Sequence, residues 1–261
     1  MNRIKVLSLA IIVFAVLLTS CNSKKKEINV LSDIVYHTIG VPAGSISDEL
    51  VLSKFPDAKF TYFDNVLEAA LALKAGRINV VAADEPLLRN VIAKNPGLRI
   101  MDEMITLDGY CFAVKHGNYD LKQKIDDTIE FLKKTGLIED MIRRWLPEIG
   151  QPSRMPELNL KPMNGILRFG TAPITEPFSF LDDSEKTVGL DIELAHYVAM
   201  QMGMGLEIIT MPFGELLTSV DEGKVDMVGS CITFSLERAE KVLFSIPYYI
   251  GGIAALIREK N

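Results

Sequence analysis

Two distant segments of the chain repeat one pattern, and this repeat limits the possible folds more than any other feature. Leu71-Ala-Leu-Lys-Ala-Gly-Arg-Ile-Asn-Val-Val and Thr218-Ser-Val-Asp-Glu-Gly-Lys-Val-Asp-Met-Val each indicate a helix end, a glycine stop, a basic residue and a buried strand. In an open parallel sheet, ligands bind just beyond the carboxyl ends of the strands. The repeat therefore predicts two similar α/β lobes with a site between them. The polar residues that follow the two strands are Asp84 and Glu85 in the first copy, and Ser230 and Thr233 in the second.

Predicted strands and helices alternate on both sides of a proline-rich segment. Prolines at 147, 152, 156 and 162 forbid a long helix or a central strand, so residues 147–162 are interpreted as a linker. Before the linker, the sequence predicts strands at 38–41 and 78–82 and helices at 47–54, 66–75 and 121–145, the last broken near Gly136. After the linker, it predicts strands at 167–170, 206–210 and 225–228 and helices at 191–202 and 215–222.

The N-terminal residues have the pattern of a targeting signal. Arg3 and Lys5 precede an apolar run at 6–18, which is too short to span a bilayer but suits a signal-peptide core. Leu18-Thr-Ser-Cys resembles the bacterial lipobox, which implies that residues 1–20 are removed and that Cys21 is lipidated. Residues 21–27 would then form a lysine-rich tether beside a membrane. The alternative is an ordinary secretory peptide with a cysteine nearby by chance.

Charge and composition exclude several other classes of protein. The chain has 28 basic and 34 acidic residues, and removing Arg3 and Lys5 with the signal gives 26 − 34 = −8. An acidic chain without a basic stripe argues against a nucleic-acid partner. The three histidines are scattered, so we expect no metal site and no cofactor. Cys111 and Cys231 are far apart in sequence, and the choice between a disulfide and two free thiols stays open.

Motifs on both sides of the linker resemble the family 3 periplasmic solute-binding proteins, which include the amino-acid receptors of ABC importers. Those that resemble the family's first half are Leu167-Arg-Phe-Gly-Thr, Pro177-Phe-Ser-Phe, Val188-Gly-Leu-Asp-Ile-Glu-Leu-Ala, Gly223-Lys-Val-Asp-Met-Val, Glu237-Arg-Ala and Phe244-Ser-Ile-Pro-Tyr-Tyr-Ile-Gly-Gly. Those that resemble its second half are Thr38-Ile-Gly-Val-Pro-Ala-Gly-Ser, Ala75-Gly-Arg-Ile-Asn-Val-Val-Ala-Ala-Asp-Glu-Pro, Tyr110-Cys-Phe-Ala-Val-Lys and Arg144-Trp-Leu. The resemblance implies a two-lobed α/β fold of type II, with two parallel or mixed sheets flanked by helices and joined by two hinge strands.

The two halves stand in the reverse of the family's order, which implies a circular permutation. Permutation is tolerated where the original termini are close and the new ones lie in a surface loop. The alternative is a fusion of two half-receptors, each of which needs a partner. The expected division is lobe 2 from 28–109 plus 253–261, lobe 1 from 115–146 plus 163–250, hinge strands near 110–114 and 252–257, and a linker at 147–162 created by the permutation.

The resemblance also implies contacts to the charged ends of a ligand. Arg238 is similar to the arginine that grips an α-carboxylate, with Thr233 as a further donor; a surface salt bridge is the alternative. Asp84 matches the carboxylate that pairs with an α-ammonium, and its alternative is a helix N-cap. We expect the backbone carbonyl of Cys231, next to Ser230, to assist.

Other implied contacts surround the ligand. Gly44-Ser45-Ile46 lies at a helix start that favours an anion, although a plain N-cap by Ser45 or Ser47 is equally compatible with the sequence. Phe213 either lies over the ligand side chain or is a core residue. Ala172 and Thr175 replace an aspartate and an aromatic residue common in the family, so a polar anchor and a stacking wall are missing. Glu176 is either a pocket residue or a solvated one.

These residues imply an extracytoplasmic receptor for an amino acid or a similar small zwitterion. We expect it to be a monomer, anchored by lipid in the cell envelope, that serves an ABC permease. A sensory module for a separate signalling partner is one alternative. An enzyme similar to cyclohexadienyl dehydratases, with Asp84 or Glu85 as the acid, is the other. We expect no enzymatic activity, because a general acid needs a raised pKa, whereas Asp84 is expected to be ionised by its ammonium partner.

Overall fold

The computed structural model describes residues 27–146, 155–158, 160 and 162–259. The signal peptide, Cys21 and most of the linker lie outside these residues. The predicted α/β fold class is confirmed, because two five-stranded sheets of mixed strand direction are each flanked by helices.

The first sheet, in the order β2-β1-β3-β15-β4, forms with its helices the part that we call lobe 2. Strands β1, β2 and β3 are parallel, and β15 runs antiparallel to both β3 and β4. The buried run of valine and alanine in β3 is typical of a strand covered on both faces. The strands are β1 (Thr38–Pro42), β2 (Lys59–Phe63), β3 (Val80–Asp84), β4 (Leu98–Ile100) and β15 (Ile253–Arg258), and the helices are α1 (Ser47–Lys54), α2 (Val66–Lys74) and α3 (Glu85–Lys94).

The second sheet, in the order β11-β7-β12-β6-β13, forms the part that we call lobe 1. Its strands are β6 (Ala113–Lys115), β7 (Ile166–Thr171), β11 (Gly205–Thr210), β12 (Met227–Val228) and β13 (Val242–Phe244). A small side sheet contains β8 (Ile174–Thr175), β9 (Ser179–Leu181) and β10 (Thr187–Val188). The helices are α4 (Tyr119–Lys134), α5 (Leu137–Trp145), α6 (Leu190–Met202), α7 (Leu216–Asp221) and α8 (Leu236–Ala239).

The end of α5, before the linker, is fixed to α6, which follows the linker. Glu193 of α6 is fully buried and accepts hydrogen bonds from Arg144 Nη1 at 3.0 Å and Nη2 at 2.6 Å. Trp145 Nε1 donates to the same carboxylate at 2.6 Å. A buried charge is tolerated when its partner and its hydrogen bonds are both present, so this cluster joins the two halves of the sequence within lobe 1.

The chain passes between the lobes through two paired strands. β5 (Asp108–Tyr110) and β14 (Tyr249–Gly251) are antiparallel neighbours. They lie a few residues earlier than the predicted hinges near 110–114 and 252–257, because β6 and β15 already belong to the sheets. Gly252, at φ +145°, ends the second crossing, where a Cβ would lie 2.1 Å from the carbonyl oxygen of Thr106.

Candidate functional site

The two lobes meet closely on one side of the crossing strands. A Cβ placed on Gly44 of lobe 2, which has φ +74°, would lie 3.4 Å from the Cα of Gly214 in lobe 1. A cavity of about 250 Å³ lies at this contact, lined by Gly44 and Glu49 from one lobe and by Phe213, Arg238 and other residues from the other. Three predicted ligand residues, Gly44, Phe213 and Arg238, are thus brought together from distant parts of the sequence.

Arg238 is held in α8 by the local backbone. Its N–H donates to Ser235 Oγ at 3.2 Å, and its Nη1 donates to the carbonyl oxygen of Thr233 at 3.1 Å. Burial lowers the pKa of the guanidinium, while the carboxylates of Glu49 and Asp84 raise it. The side chain is therefore a half-buried cation that faces carboxylates of lobe 2. This differs from the surface salt bridge that the sequence left open as an alternative.

Asp84 ends β3 and stands at the N-cap position of α3, but its side chain makes no capping hydrogen bond. Its Oδ1 is buried and has no partner among the described residues. Burial raises the pKa of this carboxyl to about 6, whereas the Tyr110 hydroxyl and the Arg238 charge act to lower it. Since the N-cap alternative fails, the carboxylate offers a buried acceptor that a ligand donor would complete.

Tyr110 connects Asp84 to the crossing strands and was not singled out from the sequence. It is fully buried on β5, and its hydroxyl accepts the N–H of Gly252 at 3.2 Å. Its ring stacks on Tyr249 of β14 with centroids 5.5 Å apart. The residue whose hydroxyl interacts with Asp84 is therefore part of the link between the lobes.

The loop at 230–233 lies next to these groups. Cys231 is buried with φ +57°, and its N–H donates to Asp191 Oδ2 at 2.8 Å. Thr233 forms an isolated antiparallel bridge with Tyr110. Cys111 and Cys231 are both free thiols, so the open question of a disulfide is answered in favour of two reduced cysteines.

Other residues that were predicted to contact the ligand are buried or hydrogen-bonded within the protein. Ser230 Oγ donates to the carbonyl oxygen of Ala172 at 2.9 Å and lies 2.8 Å from Thr175 Oγ1. All three residues are buried, and none lines the 250 Å³ cavity. Ser45 Oγ accepts the N–H of Ser47 at 3.2 Å, which is the local capping role, and Ile46 is buried.

Glu176 lies away from this cavity and joins the two lobes at a second place. Its carboxylate pairs with Lys94 Nζ of α3 at 2.8 and 2.9 Å. Both residues line a larger cavity of about 1410 Å³ between α3 and the segment 176–183. The sequence allowed Glu176 to be either a pocket residue or a solvated one. The structure is closer to the solvated residue, and it adds an ion pair between the lobes.

Metal clusters and membrane-spanning helices are both absent from residues 27–146 and 162–259. In this part of the chain no cluster of three or more His, Cys, Asp or Glu side chains is arranged to hold a metal ion. Over the same residues, no helix combines the length and the apolar character that a membrane span requires.

Residues 167–261 match the family model of the bacterial extracellular solute-binding proteins, family 3. This segment is similar to that family. Seven of the predicted ligand residues lie in the part of the chain that matches this family model: Ala172, Thr175, Phe213, Ser230, Cys231, Thr233 and Arg238.

Curated relatives and solved structures also resemble the chain. The L-cystine-binding protein TcyJ of Escherichia coli (strain K12) is 35% identical over 104 residues, 40% of this chain and 39% of the relative. Cyclohexadienyl dehydratase of Pseudomonas aeruginosa is 29% identical over 89 residues, 34% of this chain and 33% of the enzyme. The arginine-bound form of domain 1 from TmArgBP is 30% identical, covers 36% of this chain and 80% of that chain, and has a TM-score of 0.33. The chain thus spans about two fifths or less of these two curated relatives.

Proposed function

We propose that the protein is an extracytoplasmic receptor that binds an amino acid or a similar small zwitterion between its lobes and serves an ABC importer. The unpartnered, buried Oδ1 of Asp84, which shares its surroundings with Arg238 of the other lobe, carries this proposal. A zwitterion supplies both missing partners, an ammonium for the carboxylate and a carboxylate for the guanidinium. Since neither lobe holds both charges, the ligand stabilises the closed arrangement.

A screen of melting temperatures tests the proposal directly. The twenty amino acids and simple organic acids would each be added in large excess over the protein. A ligand at 100 times its Kd stabilises the folded state by about 2.7 kcal/mol, which gives an upward shift that is easily measured. We expect a shift with at least one amino acid. Shifts produced only by acids that lack an amino group would contradict the assignment of Asp84.

The circular permutation and the lipid anchor are parts of the same proposal. Because β15 runs antiparallel to β3, its last residue, Arg258, lies at the end of the sheet where β1 and β3 begin. The Arg144–Glu193 pair fixes α5 on lobe 1, as a return helix requires. For the anchor at Cys21, intact-protein mass spectrometry should detect a diacylated species that begins at this residue. A species that begins downstream of Cys21 would reject it.

One observation favours a dehydratase as the second candidate. Burial raises the pKa of Asp84 to about 6, so this carboxyl is less acidic than the sequence led us to expect. A general acid needs a raised pKa. A turnover assay with prephenate separates the candidates. Consumption of prephenate that Asp84→Asn abolishes would support the enzyme, and stable amino-acid binding without turnover would support the receptor.

Loss of the cross-lobe ion pair should shorten the lifetime of the bound state. We expect Glu176→Gln to raise the dissociation rate of the amino acid found in the screen about two-fold, because exposed ion pairs contribute about 0.2–1 kcal/mol. Stopped-flow displacement measures this rate.

The matched control for this change is Glu103→Gln. It removes an ion pair with Lys54, at 3.1 Å, that lies within lobe 2. The control should leave the dissociation rate unchanged. Equal rates in both variants would show that the Lys94–Glu176 contact does not hold the lobes together.

A further inference from the structure

A second buried carboxylate lies directly behind the loop at 230–233. Asp191, in the first turn of α6, is fully buried in lobe 1. Its Oδ2 accepts the N–H of Cys231 at 2.8 Å, and its Oδ1 has no partner in the described part of the chain. The sequence motif around this residue was recognised, but no role was assigned to its side chain.

The hydrogen bond from Cys231 is made at a place where the backbone needs support. Cys231 has φ +57°, a conformation that residues with a Cβ rarely adopt and that persists where surrounding contacts impose it. On the other side of the loop, the N–H of Cys111 donates to the carbonyl oxygen of Ile232 at 2.9 Å, and Thr233 bridges to Tyr110. The loop is therefore clamped between Asp191 and the first crossing strand.

Asp191 is surrounded by polar groups of Tyr248 and Cys231. The hydroxyl of Tyr248 and the N–H and thiol of Cys231 face it. The carboxylates of Asp84 and Asp191 both raise the pKa of the Cys231 thiol, after the larger effect of burial, so both carboxylates act on this residue. Burial raises the pKa of Asp191 to about 7, opposed by Tyr248 and the Cys231 N–H.

We infer that Asp191 is a positioning residue of the ammonium site, which holds Cys231 in its left-handed turn and supplies a second negative charge behind it. The inference rests on the proposed function, since it concerns how the same site binds the ammonium of its ligand. Two nearby carboxylates attract a cation most strongly when both are ionised. Binding therefore depends on the protonation of both groups.

This arrangement predicts a stepped pH dependence. Near pH 8 both carboxylates are ionised and the affinity should be at its highest. Between about pH 7 and pH 6 Asp191 takes up a proton, so the dissociation constant should rise by up to tenfold per pH unit. Below about pH 6 Asp84 takes up a proton as well, and the rise should reach up to a hundredfold per pH unit. The two steps belong to the coupled pair.

Titration calorimetry of the wild type and Asp191→Asn from pH 5 to pH 9, with the amino acid found in the screen, tests the inference. Asparagine keeps an oxygen for the Cys231 N–H but removes the charge. We expect the variant to bind more weakly at pH 8 and to lose the step between pH 7 and pH 6, with only the lower step remaining. Identical profiles for the two proteins would overturn the inference.

Asp126→Asn provides a matched control. Asp126 is also a buried carboxylate of lobe 1 that accepts a backbone N–H, that of Ile246 at 2.8 Å. It does not contact the loop at 230–233, so its variant should keep the two-step profile of the wild type. Loss of the upper step in this control as well would mean that any buried carboxylate of the lobe has the effect, which contradicts a specific role for Asp191.

A second variant covers the case in which Asp191→Asn does not fold. Tyr248→Phe removes the hydroxyl that lowers the pKa of Asp191, so the upper step should move to higher pH while the lower step stays. An unshifted upper step would count against the inference. A wild-type protein that binds no amino acid would overturn both the proposed function and this inference, whereas normal wild-type binding with unchanged variants would overturn only the latter.

Discussion

Replacing Arg238 with alanine is expected to weaken amino-acid binding by about 100-fold or more. A planar guanidinium makes a bidentate pair with a carboxylate, and each charge-assisted hydrogen bond contributes about 1.5–3 kcal/mol. Within the described part of the chain the guanidinium makes one hydrogen bond, to the carbonyl oxygen of Thr233, so the melting temperature should change little. Titration calorimetry and scanning calorimetry on the same preparation measure the two effects.

Two companion variants make the result specific. Lys241→Ala removes a cation that lines the same cavity but is exposed, and it should leave the dissociation constant within about threefold, as expected for an exposed charge. Arg238→Lys keeps the charge but loses the two-pronged geometry, so it should bind with intermediate affinity. Normal binding by Arg238→Ala, or equal losses in Arg238→Ala and Lys241→Ala, would contradict the assignment of the carboxylate partner.

Replacing Asp84 with asparagine should abolish binding and at the same time stabilise the protein at pH 8. The carboxyl has its pKa raised from 3.8 to about 6, so the folded protein holds this proton more tightly than the unfolded chain does. Its contribution to stability is therefore complete at low pH and is lost as the pH rises through about 6, a difference of about 3 kcal/mol. Asparagine carries no charge, so the variant should avoid this cost and unfold at a higher temperature than the wild type at pH 8.

The control for this prediction is Glu85→Gln, which changes the next residue along the chain. Glu85 pairs with Arg89 one helical turn away on the surface of α3. Its loss should cost a few tenths of a kcal/mol and leave ligand binding unchanged. If Asp84→Asn bound the ligand normally, or were less stable than the wild type at pH 8, the unpartnered carboxylate would have been misinterpreted.

Regular elements with a clear periodicity were predictable from the sequence. The helix at 47–54 has the predicted bounds, and the break near Gly136 occurs between α4 and α5. The strand predicted at 78–82 is displaced, because it pairs with β1 at Val80 and Val81 and with β15 as far as Asp84. This displacement makes Asp84 the last residue of its strand, nearer to the cleft than the sequence suggested.

The contacts that complete the site were not predictable from local pattern. Asp191 is followed by a long apolar helix, and an acidic residue in a first turn is ordinarily explained by the helix dipole. Its bond to Cys231 depends on the packing of α6 against a loop forty residues away, which no periodicity records. Glu49 of lobe 2 acts on Arg238 of lobe 1 through the contact between the lobes, which no local pattern records. The strands β8, β10 and β12, two residues long, are too short to give a period.

A crystal structure of the protein with the amino acid selected by the screen tests the central claim most directly. The account predicts carboxylate oxygens of the ligand on the Arg238 guanidinium and its ammonium on Asp84 Oδ1, at about 2.7–2.9 Å in both cases. A ligand bound in the larger cavity between α3 and the segment 176–183, or one that touches a single lobe, would contradict it.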